Sequence, residues 1–333
     1  MNDTIHYIKR VEIQGLWQKF DIVWDLNPDV NILAGVNGSG KTTVINIMYF
    51  SLLGHDINRD FNKIEEINFV FNDNQKILSD LIRMRSFLIK DSNKHTKKPF
   101  DYQVMNAVTE RFAEKTKEVK ELEGFSTNSV FNNILNTIDI INTFDIPLKQ
   151  SKEVQKLSND TVKTELDWKI YHLQKEYLDY QLNISKRKDQ IIENSDNVKT
   201  EIEKINYPKT RFLKILDDLF SETGKKVDRD KNEISFLLDE QPISAFQLSS
   251  GEKQLLIILL TVLVQDNKPS ILFMDEPEIS LHIDWQRKLI QYIRELNPNV
   301  QIILATHSPD IIMEGWLDKV FEISDLIVNK QAV

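Results

Sequence analysis

Residues 35–43 read GVNGSGKTT, and the segments that flank them constrain the fold more than any other part of the chain. Before them, NPDVNILA opens with a turn and ends as a buried strand; after them, TVINIMYFSLLG has the spacing of an amphipathic helix that Gly54 can cap. A glycine-rich turn between strand and helix lets backbone N–H groups face inward, and the helix N-terminus adds the positive end of its dipole. Gly35, Gly38, Gly40, Lys41 and Thr42 fit the phosphate-loop spacing G-x-x-x-x-G-K-[ST] in that context. Lys41 then supplies a charge to the β and γ phosphates, and Thr42 a hydroxyl to Mg²⁺, which prefers hard oxygen ligands.

Three later stretches carry related chemistry. LSSGEKQ (248–254) places small hydroxyl residues and a glycine at the start of a helix, followed by the ten-residue apolar run LLIILLTVLV. ILFMDEPE is an apolar strand ending in carboxylates, which suits Asp275 for a metal's hydration shell and Glu276 for positioning or deprotonating a water. ILATHSP is a second apolar strand with a polar end, where His307 can donate to a γ-phosphate and link it to that water. Each of the two strand-end motifs is weak alone, because acidic residues often end strands and a lone histidine is more often structural. Their order after a phosphate loop is hard to obtain by chance.

The rest of the chain frames these motifs. YIKRVEIQGL and KFDIVWDL alternate as strands of an N-terminal antiparallel β subdomain, and EEINFVFNDNQKI reads as another hairpin. A helical, charged stretch covers about 83–124, and DIINTF (139–144) reads as a buried strand. Residues 151–206 contain no proline or glycine and place Trp168, Tyr171, Leu173, Tyr177, Leu178 and Leu182 at helical spacing. This predicts an inserted helical arm projecting from the body, roughly 40 Å long if it is a hairpin of two helices. From Pro208 onward, strands and helices alternate, which predicts a mostly parallel sheet. The expected division is 1–150 and 208–333 as two parts of one α/β core, with 151–207 inserted between them.

Composition sets limits. With 333 residues, 41% of them hydrophobic, the chain can bury a large core plus an appendage. The absence of cysteine rules out disulfides and thiolate metal sites and agrees with a reducing, cytoplasmic setting. The polar start MNDTIHYIKR has no secretory h-region, and the longest apolar run is too short for a bilayer span, so no membrane association is expected. A net charge of −9 excludes a strongly basic surface. Two local segments remain candidates for nucleic acid: KDSNKHTKKP (90–99), and YLDYQLNISKRK with Lys186, Arg187 and Lys188 beside tyrosines. A protein-binding surface or a solvated helix face explains both equally simply.

The four motifs together resemble ATP-binding-cassette ATPases, in particular the branch with soluble heads that includes RecF, SMC and OLD-like proteins. The resemblance covers roughly 1–54 and 208–320. GVNGSGKTT resembles the family's G-x-N-G-x-G-K-[ST]-[ST], LSSGEKQ its signature, FMDEPEISLH its Walker B and D-loop, and LATHSP its switch histidine. It implies that Asn37, Gly38, Ser39, Gly40, Lys41, Thr42 and Thr43 hold ATP, with Thr42 and Asp275 on Mg²⁺ and Glu276 and His307 in catalysis. It also implies a homodimer of heads packed head to tail, or a higher oligomer. There Ser249, Ser250 and Gly251 would close on the nucleotide of the partner, and Ser280 to His282 would face the other site.

Two departures stand out. No Q-loop glutamine is evident, since Gln150 lies well past the strand and Thr143 takes the strand-end place. LWQKF falls where these heads carry an aromatic-basic pair, which makes Lys19 or Phe20 the expected nucleotide contact. Short heads resembling this one often belong to bacterial anti-phage systems and work with an effector such as a nuclease. OLD-type proteins carry theirs after the histidine strand, so a separate nuclease chain is expected here. A DNA-repair or chromosome-maintenance head is the alternative. A transporter subunit is the second alternative, disfavoured by the wide separation of phosphate loop and signature.

Overall fold

The structure is a computed structural model and describes residues 7–52, 64, 66–72, 138–142 and 162–330. The helical stretch at 83–124, the basic segment 90–99, Gly54, Thr143 and Gln150 lie outside the described residues.

A five-stranded parallel sheet organises the core, in the order β11-β3-β10-β9-β5. Its strands are β3 (Val30–Ala34), β5 (Ile138–Asn142), β9 (Ser270–Asp275), β10 (Val300–Ala305) and β11 (Val320–Glu322). Every residue of β3, β9 and β10 is buried, as expected of strands covered on both faces. Alternation divides them between two cores. Ile32, Leu272, Met274, Ile302 and Leu304 pack on one face, and Leu33, Ile271, Phe273, Ile303 and Ala305 on the other.

The second face is covered by α1 (Lys41–Leu52) and by an antiparallel sheet in the order β12-β2-β1-β4. That sheet contains β1 (Ile8–Leu16), β2 (Phe20–Asp25), β4 (Glu66–Phe71) and β12 (Ile327–Lys330). The N-terminal β subdomain is therefore present, and its outer strand comes from the far end of the chain. Along the other face lie α2 (Glu165–Asn194), α3 (Val198–Phe220), α4 (Ser250–Val264) and α5 (Ile283–Leu296). A small antiparallel sheet of β6 (Lys225–Val227), β7 (Ser235–Leu238) and β8 (Gln241–Ser244) precedes α4. No helix among the described residues is long and apolar enough to cross a membrane.

Parallel register decides where chemistry can gather. Ala305 pairs with Asp275, Asn142 with Asp275, and Ala305 also with Leu33, so the C-terminal ends of β3, β10, β9 and β5 lie side by side. The phosphate loop, the histidine turn and the Asp275–Glu276 pair all leave the sheet along that edge, where ligands of open α/β sheets bind.

The helical insertion differs from its sequence reading. Leu166, Ile170, Leu173, Tyr177, Tyr180 and Ile184 line one side of α2 and are buried in the core. A capping box at Thr164–Asp167 starts the helix, and Lys253 of α4 pairs with Asp167 at 2.8 Å. The first five turns of α2 therefore lie on the body instead of projecting, and α3 runs without a break through Pro208. No residue from 185 to 211 is buried, so only the distal hairpin stands off, by roughly 20 Å at 1.5 Å per residue. Tyr177 and Tyr180 stack on each other at 6.3 Å, and burial pushes the phenol of Tyr177 up to about 12. These tyrosines are core residues and offer no face to a base. Arg187, beside them, is paired with Asp266 at 2.8 Å.

Candidate nucleotide site

The loop from β3 to α1 is a cradle for an anion. Gly40 sits at φ +100°, in the left-handed region that glycine occupies at little cost. Lys41 is 4% exposed, and its Nζ donates to the carbonyls of Gly35 at 2.9 Å and Val36 at 3.4 Å. The first turn of α1 carries no acidic residue, which leaves its dipole unopposed. Ser39 Oγ is buried without a hydrogen-bond partner inside the same loop. An ammonium held only by carbonyls, an orphaned hydroxyl and an unopposed helix end all fit a phosphate chain.

Thr42 Oγ1 donates to Asp275 Oδ1 at 3.0 Å, joining α1 to the end of β9. Burial pushes the Asp275 carboxyl above its ordinary range, and the nearby Glu276 and Glu278 charges add to the rise, against the Thr42 hydrogen bond and Lys41. A cation beside Asp275 would relieve this crowding. The hydroxyl and carboxylate pair is the donor set that Mg²⁺ prefers. The residues therefore fit the ion, and it would neutralise charge developing on the phosphates.

Glu276 follows β9 in a strained conformation, φ +46°, and its N–H donates to Ala305 O at 2.8 Å. That kink brings Glu276 Oε2 to 3.1 Å from Nδ1 of His307, at the end of β10. A carboxylate beside a histidine, one strand away from a phosphate cradle, can take a proton from water while the imidazole donates toward a phosphate.

The signature residues lie on another part of the body. Ser249 caps α4 in a reciprocal box with Glu252: its Oγ accepts from Glu252 N, and its own N–H donates to Glu252 Oε2 at 2.9 Å. Burial disfavours the Glu252 charge, but hydrogen bonds from Lys225, Ser249 and Thr223 outweigh it and hold the carboxyl below its ordinary range. Lys225 Nζ lies 2.8 Å from Glu252, whose side chain is 3% exposed. Glu252→Ala should destabilise the protein by about 3 kcal/mol, since Lys225 loses its buried partner. The check is a lower urea midpoint at unchanged slope.

Ser249 and Ser250 remain exposed, whereas Gly251 is buried against the D-loop. A Cβ at Gly251 would overlap the carbonyl oxygen of Ser280 and lie 3.2 Å from its carbonyl carbon. Ser280 itself sits at φ +67°. The apolar run behind the signature is buried from Leu255 to Leu263 and holds this helix end in place.

Lys41, Thr42, Asp275, Glu276 and His307 are thus gathered at one sheet edge, and Ser249 to Gly251 at the head of α4. Asn37 and Gly38 are exposed in the loop, and Thr43 lies in the first turn of α1. The β1–β2 turn lies against the phosphate loop. Lys19 is exposed there, and the contact to the phosphate loop comes from Trp17, whose indole occupies the space a Cβ on Gly40 would need. Phe20 meets Trp17 edge-on at 6.2 Å. Trp17 and Gln18 form a left-handed turn at φ 54° and 59°, tight enough to aim a side chain sideways.

Fold and site together define a P-loop NTPase whose motifs run in the order of ATP-binding-cassette ATPases. The chain belongs to the family described as "AAA domain, putative AbiEii toxin, Type IV TA system", which matches residues 30–314. It is similar to the Retron Vc95 probable ATPase of Vibrio cholerae serotype O1 biovar El Tor, 32% identical over 95 residues, which are 25% of this chain and 18% of that protein. It is also similar to the Septu protein PtuA of Bacillus thuringiensis, 30% identical over 139 residues, 37% of this chain and 34% of that one. The molybdenum import ATP-binding protein ModC of Vibrio parahaemolyticus serotype O3:K6 is 42% identical over 74 residues, 22% and 18% of the two chains. The matched stretches span at most 34% of the length of these three relatives.

Proposed function

We propose that this chain hydrolyses ATP and acts as a nucleotide switch, with two copies closing head to tail over two composite sites. In each site, the loop at Asn37 to Thr43 cradles the triphosphate, Thr42 and Asp275 hold Mg²⁺, Glu276 activates the water and His307 contacts the γ-phosphate. Ser249, Ser250 and Gly251 come from the partner. The observation that carries the dimer is the exposure of Ser249 and Ser250 at a helix N-terminus, while this chain's own phosphate loop is served by other residues. Hydrolysis reopens the pair and passes the change to a protein effector, such as a separate nuclease. Similarity to retron and Septu proteins favours anti-phage defence as the setting.

Complementation tests this arrangement. Lys41→Ala should weaken ATP binding roughly 10- to 100-fold by removing charge-assisted hydrogen bonds, and Ser249→Arg should leave binding intact but disable only the composite site that this serine faces. Each variant alone is inactive. Mixed, they restore one intact site per heterodimer: the Lys41 of one chain meets the Ser249 of the other. Random pairing then yields about one quarter of wild-type hydrolysis. A mixture as inactive as its components, despite detectable heterodimers, would rule out shared sites.

A further inference from the structure

We infer that Glu278, two residues beyond the candidate base, is the positioning residue that fixes the histidine turn for hydrolysis. The inference rests on the ATPase reading above and adds a residue to which that reading gives no role. Glu278 is 6% exposed, and burying a carboxylate that deep is costly unless donors meet it; Oε2 has none, so the donors on Oε1 carry it. Three converge on its Oε1: the Thr306 hydroxyl, His307 N–H at 3.2 Å and Ser308 N–H at 3.2 Å. The same oxygen lies 3.5 Å from His307 Nδ1, on which Glu276 Oε2 also closes at 3.1 Å.

The turn is tied down from its other side as well. Ser308 Oγ donates to Gln286 Oε1 at 2.7 Å, and Gln286 Nε2 donates to Leu281 O at 3.0 Å. The strand ends β9 and β10, the D-loop and the start of α5 therefore form one hydrogen-bonded unit, with Glu278 at its centre. The chemistry requires this acceptor. His307 has no regular strand partner beyond Ala305, so its backbone N–H would otherwise be unpaired. With Nδ1 facing the two carboxylates, a proton is favoured on that nitrogen and Nε2 is the one available to a substrate. Glu278 touches no reacting atom; it acts by holding His307 where Glu276 and a phosphate can both use it.

The test combines turnover with a signal that does not need turnover. Glu278→Gln keeps an acceptor oxygen for the three donors and should retain hydrolysis within about threefold. Glu278→Ala should lower kcat about 10- to 100-fold, the scale of an ångström's misplacement, with little change in KM for ATP. In the His307→Ala background, Glu278→Ala should cost nothing further, because its effect runs through the ring. The imidazole ¹⁵N spectrum of labelled protein, with His307 assigned by its loss in His307→Ala, should show a protonated Nδ1 in the wild type and in Glu278→Gln, and an altered signal in Glu278→Ala.

Wild-type kcat in Glu278→Ala, additive losses in the double variant, or an unchanged His307 signal in Glu278→Ala would each overturn the inference. If Glu278→Ala does not fold, a Glu278→Gln protein whose His307 signal matches free imidazole would do the same. A wild-type chain that never hydrolyses ATP defeats the ATPase reading alone, because the spectra still decide the role of Glu278.

Discussion

Replacing Glu276 with Gln should lower ATP hydrolysis about 10²- to 10⁴-fold and leave an ATP-bridged pair of chains in solution. The side chain is kinked out of β9 at φ +46° and fixed through its N–H to Ala305, so the amide should take the same place. It still lies beside His307 Nδ1, which is 3.1 Å from the carboxylate, and the loop contacts of Lys41 and Thr42 are untouched. Only the capacity to take a proton from water is lost. Binding should therefore persist while turnover stops, and closure should build up. Light-scattering mass with ATP and Mg²⁺ reads the pair, and phosphate release reads the chemistry. Undiminished hydrolysis would remove Glu276 from the base role. A monomer that binds ATP firmly would leave the base role intact and count against closure.

Much of the site was legible because its signals are local. β3, β9 and β10 are short, mostly apolar runs leading into GVNG, DE and TH, and a buried parallel strand needs little distant information to be recognised. The fate of the inserted helices was not legible in the same way. Tyr177, Tyr180 and Ile184 keep helical spacing whether they face a partner helix or the body, so periodicity gave a helix but not its neighbour. The pairing of β12 with β2 joins residues about 300 positions apart and leaves no local trace.

Glu278 is an intermediate case. Pairing Asp275 with Ala305 starts residues 276–278 and 306–308 from neighbouring strand ends, where Glu278 meets Thr306, His307 and Ser308. Register, once known, brings the two segments within reach; composition alone does not. Trp17 was missed for a similar reason. The aromatic was visible, but the left-handed turn that aims it at Gly40 was not.

Gly251→Ala should abolish hydrolysis while sparing ATP binding, if the proposed closure of two chains is correct. Gly251 is inside α4, so its backbone would tolerate alanine well. Space forbids it, because the new methyl would overlap the Ser280 carbonyl oxygen. Overpacking of this kind costs about 1–3 kcal/mol, and the neighbour must move. Ser280 cannot move freely: it already sits at φ +67°, and Leu281 behind it is buried and hydrogen-bonded to Gln286. Either the head of α4 lifts from the body, or the D-loop shifts and pulls on the Gln286–Ser308 link to the histidine turn. Both routes spoil the surface proposed to meet a partner's nucleotide, and neither touches Lys41. Nucleotide titration should give a near wild-type Kd, with hydrolysis and ATP-dependent mass both lost. Gly251→Ala that closes and turns over normally would show that the signature and D-loop do not act as one body.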